Sequence, residues 1–318
     1  MFKLGMIGTG IISGSYFQAL NECLDFKLVA ICEINEEKAR KISEEQGIPY
    51  YLNYKEMCDK EEIDAVIINL PHFLHCEVSV YCLEKGIHVL CEKPMANTVE
   101  ECERMIEASK VGKAKLAIGH IMRFFPGMRV VKEYVESEKL GKLTMINEVR
   151  NEPYFLPSRP KWFFSKKHAG GGIVMNFGAH ALDKLAYVLG GNFENISAVC
   201  GNFCSDDDVE GHAQIYLTAN GVPVSITFSG YAPYNSNDAI FSFTNGALKF
   251  AGGMLFICDE PYGNFRAYEF SDKQKGAFTY QLEEFAKLIR NEDSICPDGE
   301  YGKNIIATIE EIYRKGLV

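Results

Sequence analysis

Residues 3–13 read Lys-Leu-Gly-Met-Ile-Gly-Thr-Gly-Ile-Ile-Ser, an apolar run that enters a glycine-rich turn. Gly8 and Gly10 match the first two glycines of the pattern G-x-G-x-x-G, and Ser13 stands at the third. The first glycine allows a tight turn, the second lets a pyrophosphate approach the backbone at a helix N-terminus, and the third position serves only helix packing. With a strand before the turn and a helix predicted over residues 16–23, the stretch indicates a dinucleotide site. Its contacts are expected from Gly8, Thr9, Gly10, Ile11 and Ile12.

A second predicted strand, over residues 27–32, delivers Glu33 about twenty residues after Gly10. An acidic side chain at this place accepts hydrogen bonds from both ribose hydroxyls and repels a 2′-phosphate, so we expect NAD in preference to NADP. Two alternatives stay open. Lys38 and Arg40 in the next helix could serve a 2′-phosphate, and Glu33 could simply be an acid at the start of that helix.

Strands and helices continue to alternate up to residue 119. Helices are predicted over residues 36–46, 54–60, 75–85 and 98–110, and strands over residues 64–70, 88–91 and 115–119. This order predicts a doubly wound parallel sheet, which binds ligands at the carboxyl ends of its strands. The residues expected at those ends are Leu70, Pro71 and His75 after one strand, and Glu92 and Lys93 after the next. The simpler interpretation is a solvated loop lysine and a histidine that caps a helix.

The second half of the chain has strand-like alternation instead. Strands are predicted over residues 143–150, 196–203, 212–219, 222–229, 239–244 and 247–251, with helices over residues 127–137, 278–291 and 304–315. Asn220-Gly221 and Asn245-Gly246 each separate two strands, and Asn-Gly is a strong hairpin signal. We therefore predict an α+β domain with an open, mainly antiparallel sheet.

One helix in this half carries a polar stripe. The run Gly170-Gly171-Gly172 precedes a helix predicted over residues 173–189, and the stripe consists of Asn176, His180 and Asp183. Spacings of four and three place these side chains on one side of a helix. An amide, an imidazole and a carboxylate in line are typical of a proton-transfer site with its orienting groups, although an ordinary solvated helix face has the same pattern.

Composition narrows the function classes. The chain has 318 residues, a net charge of −10 and no Lys/Arg run, so we expect no nucleic-acid partner. No apolar run is long enough to span a membrane, and eleven cysteines without a CxxC pair indicate reduced thiols, so we expect a cytoplasmic protein. A metal site is the weaker interpretation of a cluster that a strand and charged turn also explain; it consists of Cys200, Cys204, Asp206, Asp207, Asp208 and His212.

Taken together, the motifs resemble those of the Gfo/Idh/MocA family, which includes glucose–fructose oxidoreductase and inositol dehydrogenase. The resemblance rests on their order and spacing over nearly the whole chain: Gly8-x-Gly10, Glu33, Pro71-x-x-x-His75, Glu92-Lys93-Pro94, the three glycines, Asn176-x-Gly178-x-His180-x-x-Asp183, and Gln281-Leu-Glu-Glu-Phe285. It implies a Rossmann domain over residues 1–120 and a substrate-binding and oligomerisation domain over residues 121–318. It also implies transfer of hydride between NAD(P) and a secondary alcohol or ketone of a sugar or cyclitol.

The resemblance also assigns roles by position. Lys93 matches the active-site lysine, often followed by a cis bond into Pro94, and His180 matches the catalytic histidine. Asp183 matches a substrate-side or supporting acid, and Asn176, Arg123 and Trp162 fall in substrate-pocket segments. Inositol dehydrogenase-like members have aspartate at the position of Asn176. Asparagine occurs there in other branches of the family, but it cannot exchange a proton, which weakens the transfer of the full lysine–aspartate–histidine relay to this chain without removing the histidine.

The implied partners are a small-molecule polyol and further copies of the chain, as a homodimer or homotetramer through the C-terminal sheet. Four other functions remain open for the same fold. The substrate could be a dihydrodiol, an imine or a nucleotide sugar, or the protein could be a dinucleotide-binding sensor without turnover.

Overall fold

A computed structural model describes residues 1–190, 193–203, 208–231 and 233–316. The chain forms two compact units. The first contains Met1–His120 and Gly276–Ile306, and the second contains Ile121–Lys275 and Ala307–Val318. The boundary after residue 120 coincides with the predicted one, but the predicted continuous range 121–318 does not hold for the units, because residues 276–306 belong with the first. The functional division into a dinucleotide-binding and a substrate-binding domain stays a prediction.

The first unit is built on a six-stranded parallel sheet. Its strands are β1 (Phe2–Ile7), β2 (Phe26–Cys32), β3 (Tyr50–Tyr51), β4 (Ala65–Ile68), β5 (His88–Glu92) and β6 (Leu116–Gly119). They lie in the order β3-β2-β1-β4-β5-β6, and each neighbouring pair is parallel. This is the doubly wound Rossmann order, whose direction reverses between β1 and β4. The predicted doubly wound sheet is confirmed.

Some helices of this unit begin at a side-chain cap that the sequence supplies. The helices are α1 (Ser13–Leu20), α2 (Glu36–Gln46), α3 (Tyr54–Lys60), α4 (His72–Glu84), α5 (Val99–Val111) and α9 (Ala277–Ile289). The Asn35 side chain accepts from the Lys38 amide at the start of α2, and Gly47 ends that helix with a φ of 66°. The Thr98 hydroxyl accepts from the Glu101 amide at the start of α5.

Helix α9 joins the first unit because its apolar face packs there. Leu282 and Phe285 are fully buried, and the Phe285 ring stacks on Phe26 of β2 with a centroid distance of 5.6 Å. Burying an aromatic side chain of this size contributes about 2 kcal/mol relative to exposure. The sequence pattern predicts the helix and its apolar face, but not the sheet on which that face packs.

The second unit is built on an eight-stranded mixed sheet. Its strands are β7 (Leu143–Asn151), β8 (Phe193–Gly201), β9 (His212–Ala219), β10 (Val222–Ser229), β11 (Ser236–Phe243), β12 (Gly246–Ala251), β13 (Met254–Cys258) and β14 (Arg266–Ala267). The order is β14-β13-β12-β11-β7-β10-β9-β8. Only β7 and β10 pair in parallel, so the prediction of a mainly antiparallel sheet is confirmed.

The helices of the second unit are α6 (Pro126–Ser137), the short α7 (Lys166–Ala169) and α8 (Ala179–Leu189). Short 3-10 turns cover Ile121–Phe124 and Lys161–Phe164. Helix α10 (Gly299–Gly316) ends the described chain, and its last residues belong to this unit. The sequence predicts one regular helix over residues 173–189, and the structure differs from this prediction at the start of the helix. Val174–Gly178 forms a π-helical turn first, a feature that occurs often at functional sites.

One hairpin turn differs from its prediction. Asn220-Gly221 does form the turn between β9 and β10, with φ of 48° and 80°. At the other predicted turn Phe243 pairs with Gly246, so the two-residue loop is Thr244-Asn245 and Gly246 already lies in β12. The Asn-Gly pair there marks the hairpin correctly but is shifted by one residue from the turn.

Candidate active site

In the first unit, the predicted cofactor residues lie at one edge of the parallel sheet. Gly8 follows β1, Glu33 follows β2, Leu70 and Pro71 follow β4, and Lys93 follows β5. Because all these strands are parallel, their carboxyl ends share one edge, and the edge includes the reversal of strand order between β1 and β4. Open α/β sheets bind ligands at this place.

The glycine-rich turn has the geometry of a dinucleotide cradle. Gly8 has a φ of 85°, and a Cβ there would lie 2.6 Å from the Asn69 carbonyl oxygen, so only glycine fits. Gly10 is exposed, which leaves its backbone open to a ligand. Ser13, at the third glycine position, is buried and its hydroxyl donates to the Gly10 carbonyl at 2.7 Å. Thr9 is buried, Ile11 is fully exposed and Ile12 is half-buried. These residues fit a bound dinucleotide.

Glu33 is held at the end of β2 by several donors. Its Oε2 accepts from the Thr9 hydroxyl at 2.6 Å and from Lys38 Nζ at 3.2 Å, and its Oε1 accepts from the Asn35 amide at 3.1 Å. Burial opposes ionisation, but these hydrogen bonds outweigh it and the pKa of Glu33 is lowered. The carboxylate therefore both marks the start of α2 and remains a charged acceptor at the cofactor edge.

His75 lies between the ends of two strands. Its ring is fully buried, with Nε2 2.8 Å from the Leu70 carbonyl oxygen and Nδ1 2.8 Å from the Pro94 carbonyl oxygen. Burial lowers the pKa of the imidazole. His75 lies in the first turn of α4, and its ring connects the loop after β4 to the loop after β5. The peptide bond between Lys93 and Pro94 is cis.

Glu92 precedes Lys93 and holds the Lys93 backbone through a buried carboxylate. Its side chain is buried, Oε1 accepts from the Tyr16 hydroxyl at 2.7 Å, and Oε2 accepts from the Lys93 amide at 3.1 Å. The Tyr16 hydroxyl also lies 3.0 Å from Gln281 Oε1 in α9. Burial raises the pKa of Glu92, while the Tyr16 hydrogen bond and the Lys93 charge act in the opposite direction. Lys93 is half-buried, with its backbone fixed by this carboxylate.

In the second unit, the polar stripe lies on the π turn and α8. Asn176 and Asp183 are buried and His180 is half-buried. The alternative of an ordinary solvated helix face is therefore wrong. Burial raises the pKa of the neighbouring Tyr154 phenol, and its interaction with the Asn176 amide acts in the opposite direction.

Asp183 and Arg123, both predicted as substrate-side residues, form an ion pair with each other. Asp183 is fully buried, and its Oδ1 accepts from Arg123 Nη2 at 2.7 Å and from Nε at 3.2 Å. The guanidinium also lies 5.3 Å from the centre of the Tyr187 ring. The resemblance implies either a substrate-side or a supporting role for Asp183. Its complete burial favours the supporting role. Trp162 is half-buried in the second 3-10 turn, stacked on Phe163.

A second buried ion pair fixes α8 to the sheet. Lys184 Nζ lies 2.6 Å from Glu148 Oε1 on β7, and both side chains are 2% exposed. Lys184 comes one helical turn after His180, so this pair holds the part of α8 that carries the histidine. The sequence analysis did not select either residue. In a sequence, a lysine that becomes buried differs from an exposed lysine only because it lies on the apolar side of a predicted helix.

Sequence reasoning missed Tyr16 and Glu210, and it named Gln281 only as part of a motif without a role. Tyr16 and Gln281 support Glu92, and Glu210 supports the start of the helix that carries His180. Only the three-glycine run points toward Glu210, since glycines mark places of close backbone approach. No sequence pattern identifies the residue that makes the approach.

Other expectations concern metals, cysteines and membranes. Within the described ranges, no group of three or more His, Cys, Asp or Glu side chains is placed to hold a metal ion. Cys204, Asp206 and Asp207 of the considered metal cluster lie outside the described residues.

Each cysteine that the structure describes is a free thiol, and all of them except Cys258 are buried. In the same part of the chain, no helix has the length and apolar character to cross a membrane.

The fold and the cradle define an oxidoreductase-type Rossmann protein with a second α+β unit, and comparison with known proteins identifies the family. Residues 2–120 match the model described as the oxidoreductase family with NAD-binding Rossmann fold, and residues 128–249 match the GFO/IDH/MocA C-terminal domain. The chain belongs to the Gfo/Idh/MocA oxidoreductase family. The two matched ranges fall one in each predicted domain.

Individual relatives are distant. The chain is 25% identical over 314 residues to myo-inositol 2-dehydrogenase of Thermotoga maritima, covering 95% of this chain and 92% of the relative. It is 30% identical over 186 residues to 1-carboxy-3-chloro-3,4-dihydroxycyclohexa-1,5-diene dehydrogenase of Comamonas testosteroni, covering 58% of this chain and 46% of that relative. The chain thus spans about half of the latter protein. The crystal structure of aldose-aldose oxidoreductase from Caulobacter crescentus superposes with a TM-score of 0.89 at 24% identity, covering 99% and 97% of the two chains.

Proposed function

We propose that this protein is an NAD-dependent dehydrogenase that acts on a secondary alcohol of a polyol ring. The observation that carries the proposal is the cofactor edge of the parallel sheet, where the Gly8–Gly10 cradle, Glu33 and Lys93 follow neighbouring strands. When bound, the nicotinamide cofactor supplies a ring that accepts or donates a hydride. The protein supplies alignment, proton transfer and stabilisation of charge.

The preference for NAD rests on Glu33. Its carboxylate stays ionised because three donors hold it, and a 2′-phosphate at this place would meet a negative charge. Lys38 is already paired with Glu33, and Arg40 lies 3.3 Å from Glu36. Both cations could serve a 2′-phosphate, but each of them is already paired with a nearby acidic side chain.

We assign proton transfer to His180 and charge stabilisation to Lys93. In the oxidation direction, the His180 imidazole accepts the proton of the substrate hydroxyl as general base. The role we assign to the Lys93 ammonium is to stabilise negative charge that develops on a substrate oxygen. Asn176 orients the substrate or the imidazole but exchanges no proton. Asp183 acts through Arg123, and Trp162 contributes to the substrate pocket.

The substrate class follows from what the two relatives have in common. The names of the Thermotoga and Comamonas relatives describe six-membered rings with hydroxyl groups, a cyclitol in the first and a dihydroxylated cyclohexadiene in the second. We propose a ring with neighbouring hydroxyls, with a cyclitol or aldose first. The Comamonas relative favours a second candidate, a dihydrodiol of a cyclohexadiene.

The proposal is tested first by binding and then by turnover. Purified protein, freed of bound nucleotide, is titrated with NAD⁺, NADH, NADP⁺ and NADPH, and then screened with cyclitols, aldoses and dihydrodiols by absorbance of the reduced nicotinamide. We expect tight NAD(H) binding, weak NADP(H) binding and turnover of one ring polyol. Binding without turnover of any substrate favours the sensor, and failure to bind any of the four nucleotides refutes the proposal.

The assigned roles are tested with Lys93→Ala and His180→Ala, with Lys41→Ala on the exposed face of α2 as control. Removal of a positioned general base or charge stabiliser lowers kcat by about 10²- to 10⁴-fold. NADH binding should persist in His180→Ala, because the cofactor residues lie in the other unit. Turnover within a few-fold of wild type in both variants would show that the assignment is wrong.

We also propose that the chain forms a homodimer or homotetramer through the eight-stranded sheet. One face of this sheet bears exposed apolar side chains, including Met145, Val149, Val199 and Tyr216. Polar residues lie between them on the same face, namely Gln214, Ser225 and Thr227, so the face has the mixed composition of many protein–protein interfaces. Light scattering on the wild type and on Val199→Asp tests the proposal, and a monomeric wild type would refute it.

A further inference from the structure

Four consecutive backbone amides precede the helix that carries His180, and residues distant in sequence satisfy all of them. The Gly172 amide donates to Glu210 Oε2 at 2.8 Å, and the Val174 amide donates to Glu210 Oε1 at 2.8 Å. The Ile173 amide donates to the Glu210 carbonyl oxygen at 3.1 Å, and the Met175 amide donates to the Tyr313 hydroxyl at 3.0 Å. The first four amides of a helix have no partner within it, so this is a complete cap.

Glu210 and Tyr313 also hold each other. The Tyr313 hydroxyl donates to Glu210 Oε1 at 2.8 Å while it accepts from Met175. Glu210 is 5% exposed, and its carboxylate faces the positive end of the helix dipole. A single hydroxyl thus links the carboxylate to the fourth amide, and the cap acts as one connected group.

The cap explains the three-glycine run. A Cβ on Gly171 would lie 1.9 Å from the Tyr313 hydroxyl oxygen, and a Cβ on Gly172 would lie 2.1 Å from the Glu210 carbonyl oxygen. Side chains at these two positions would push both capping residues away from the amides. The glycines are required by the approach of the cap rather than by a turn, since neither has a positive φ.

The position of the cap determines which way His180 faces. The Asn176 amide makes the first bond within the helix, to the Gly172 carbonyl oxygen at 3.0 Å, and the π turn Val174–Gly178 follows directly. Residues in a helix differ by about 100° around its axis, so a slip of one residue would turn His180 far from its direction. A π turn and a regular turn differ by one hydrogen-bond step, so the residue at which the turn starts sets the register of the residues after it.

We propose that Glu210 and Tyr313 are positioning residues: they fix the start of the π turn and thereby the direction of the His180 imidazole. The proposal rests on the proposed role of His180 as general base. Neither residue needs to contact the substrate. Their effect on the reaction is to hold the base within the narrow geometry that proton transfer requires.

The test compares Tyr313→Phe and Glu210→Gln with two matched controls, Tyr262→Phe and Glu269→Gln, in which exposed side chains lose the same groups. The first readout is hydrogen exchange of the four capped amides. We expect exchange to rise at least tenfold at Met175 in Tyr313→Phe, and at Gly172 and Val174 in Glu210→Gln. Tyr313→Phe is the milder change and decides the result if Glu210→Gln does not fold.

The second readout is the ring signal of His180 in protein labelled with ¹³C-histidine, assigned by its loss in His180→Asn. We expect this signal to shift in the cap variants and to stay in place in the controls. The third readout is turnover of the polyol found by screening, where kcat should fall about tenfold or more with KM and NADH affinity within twofold of wild type.

The outcomes separate this inference from the proposed function. Unchanged exchange or an unmoved His180 signal in Tyr313→Phe would overturn the inference. A loss confined to KM, or one equal to that of the controls, would also overturn it. If the wild type turns over no substrate, the proposed function fails, and the exchange and His180 signals still decide whether the cap positions the imidazole.

Discussion

Replacement of Lys184 by methionine should be the most damaging single change on α8. Lys184 and Glu148 lie 2.6 Å apart with 2% of each side chain exposed. At an effective dielectric constant of about 20, their attraction is about 6 kcal/mol, which offsets the several kcal/mol needed to desolvate each ion. Glu148 Oε2 makes no hydrogen bond in the described part of the chain, so the lysine is its main compensation.

Lys184→Met leaves the Glu148 carboxylate buried without its counterion. Breaking a buried pair in this way costs about 3–5 kcal/mol, whereas replacing both members with apolar residues is often neutral. We expect Lys184→Met to lower the Tm of the second unit by about 10 °C. The double variant Lys184→Met with Glu148→Leu should recover most of this loss.

The assay is thermal and urea unfolding followed by circular dichroism, with separate transitions fitted if the two units unfold independently. The control is Lys249→Met on β12, whose partner Asp238 lies 2.9 Å away in a pair that is about one third exposed. That pair should contribute no more than about 1 kcal/mol. The reasoning would be refuted if Lys184→Met lost no more unfolding free energy than Lys249→Met. It would also be refuted if the double variant were less stable than Lys184→Met alone.

The remaining predictions concern the cap, the cofactor edge and the second buried pair. Gly171→Ala should destabilise the protein by more than the about 1 kcal/mol of an ordinary backbone change, and the loss should shrink in a Tyr313→Ala background; additive effects in the double-mutant cycle would contradict the close contact. The pKa of Glu33 is lowered on folding, so its contribution to stability is present above its unfolded pKa and is lost as the pH falls through the folded value. The difference in unfolding free energy between wild type and Glu33→Gln should therefore narrow below about pH 4.5, and a difference that widens there would contradict the assigned direction. Arg123→Lys keeps the charge but cannot place two donors on Asp183, so we expect a loss of about 1–2 kcal/mol in urea unfolding, and an unchanged midpoint would contradict this.

Local signals in the sequence predicted most of the first unit. Helix α2 begins after an asparagine cap and ends at a left-handed glycine, and both of its ends are those predicted. The residues at the carboxyl ends of the strands followed from strand order alone, since parallel strands must end at one edge. What the sequence could not provide was the support behind these residues. Tyr16 reaches Glu92 from 76 positions away, and no local pattern predicts that contact.

The second unit was predicted less completely, for two physical reasons. The π turn differs from a regular helical turn by one hydrogen-bond step, and the same apolar spacing is compatible with both, so its cause lies outside the segment. The affiliation of α9 was missed because an amphipathic pattern predicts a buried face without identifying its partner. In both cases the decisive contact joins residues that are far apart in the chain.

The polar stripe on the π turn and α8 shows why such contacts matter for assigning function. From the sequence, Asn176, His180 and Asp183 fit a solvated face and a proton-transfer site equally well, because the spacing is the same. The two interpretations differ in whether the charges nearby have partners that let them be buried. Arg123 provides the partner of Asp183 from 60 positions earlier in the chain, and Glu148 provides that of Lys184. A solvated face needs neither partner, so these two distant charges are the evidence that this part of the helix is buried, and the proton-transfer role of His180 stays a prediction.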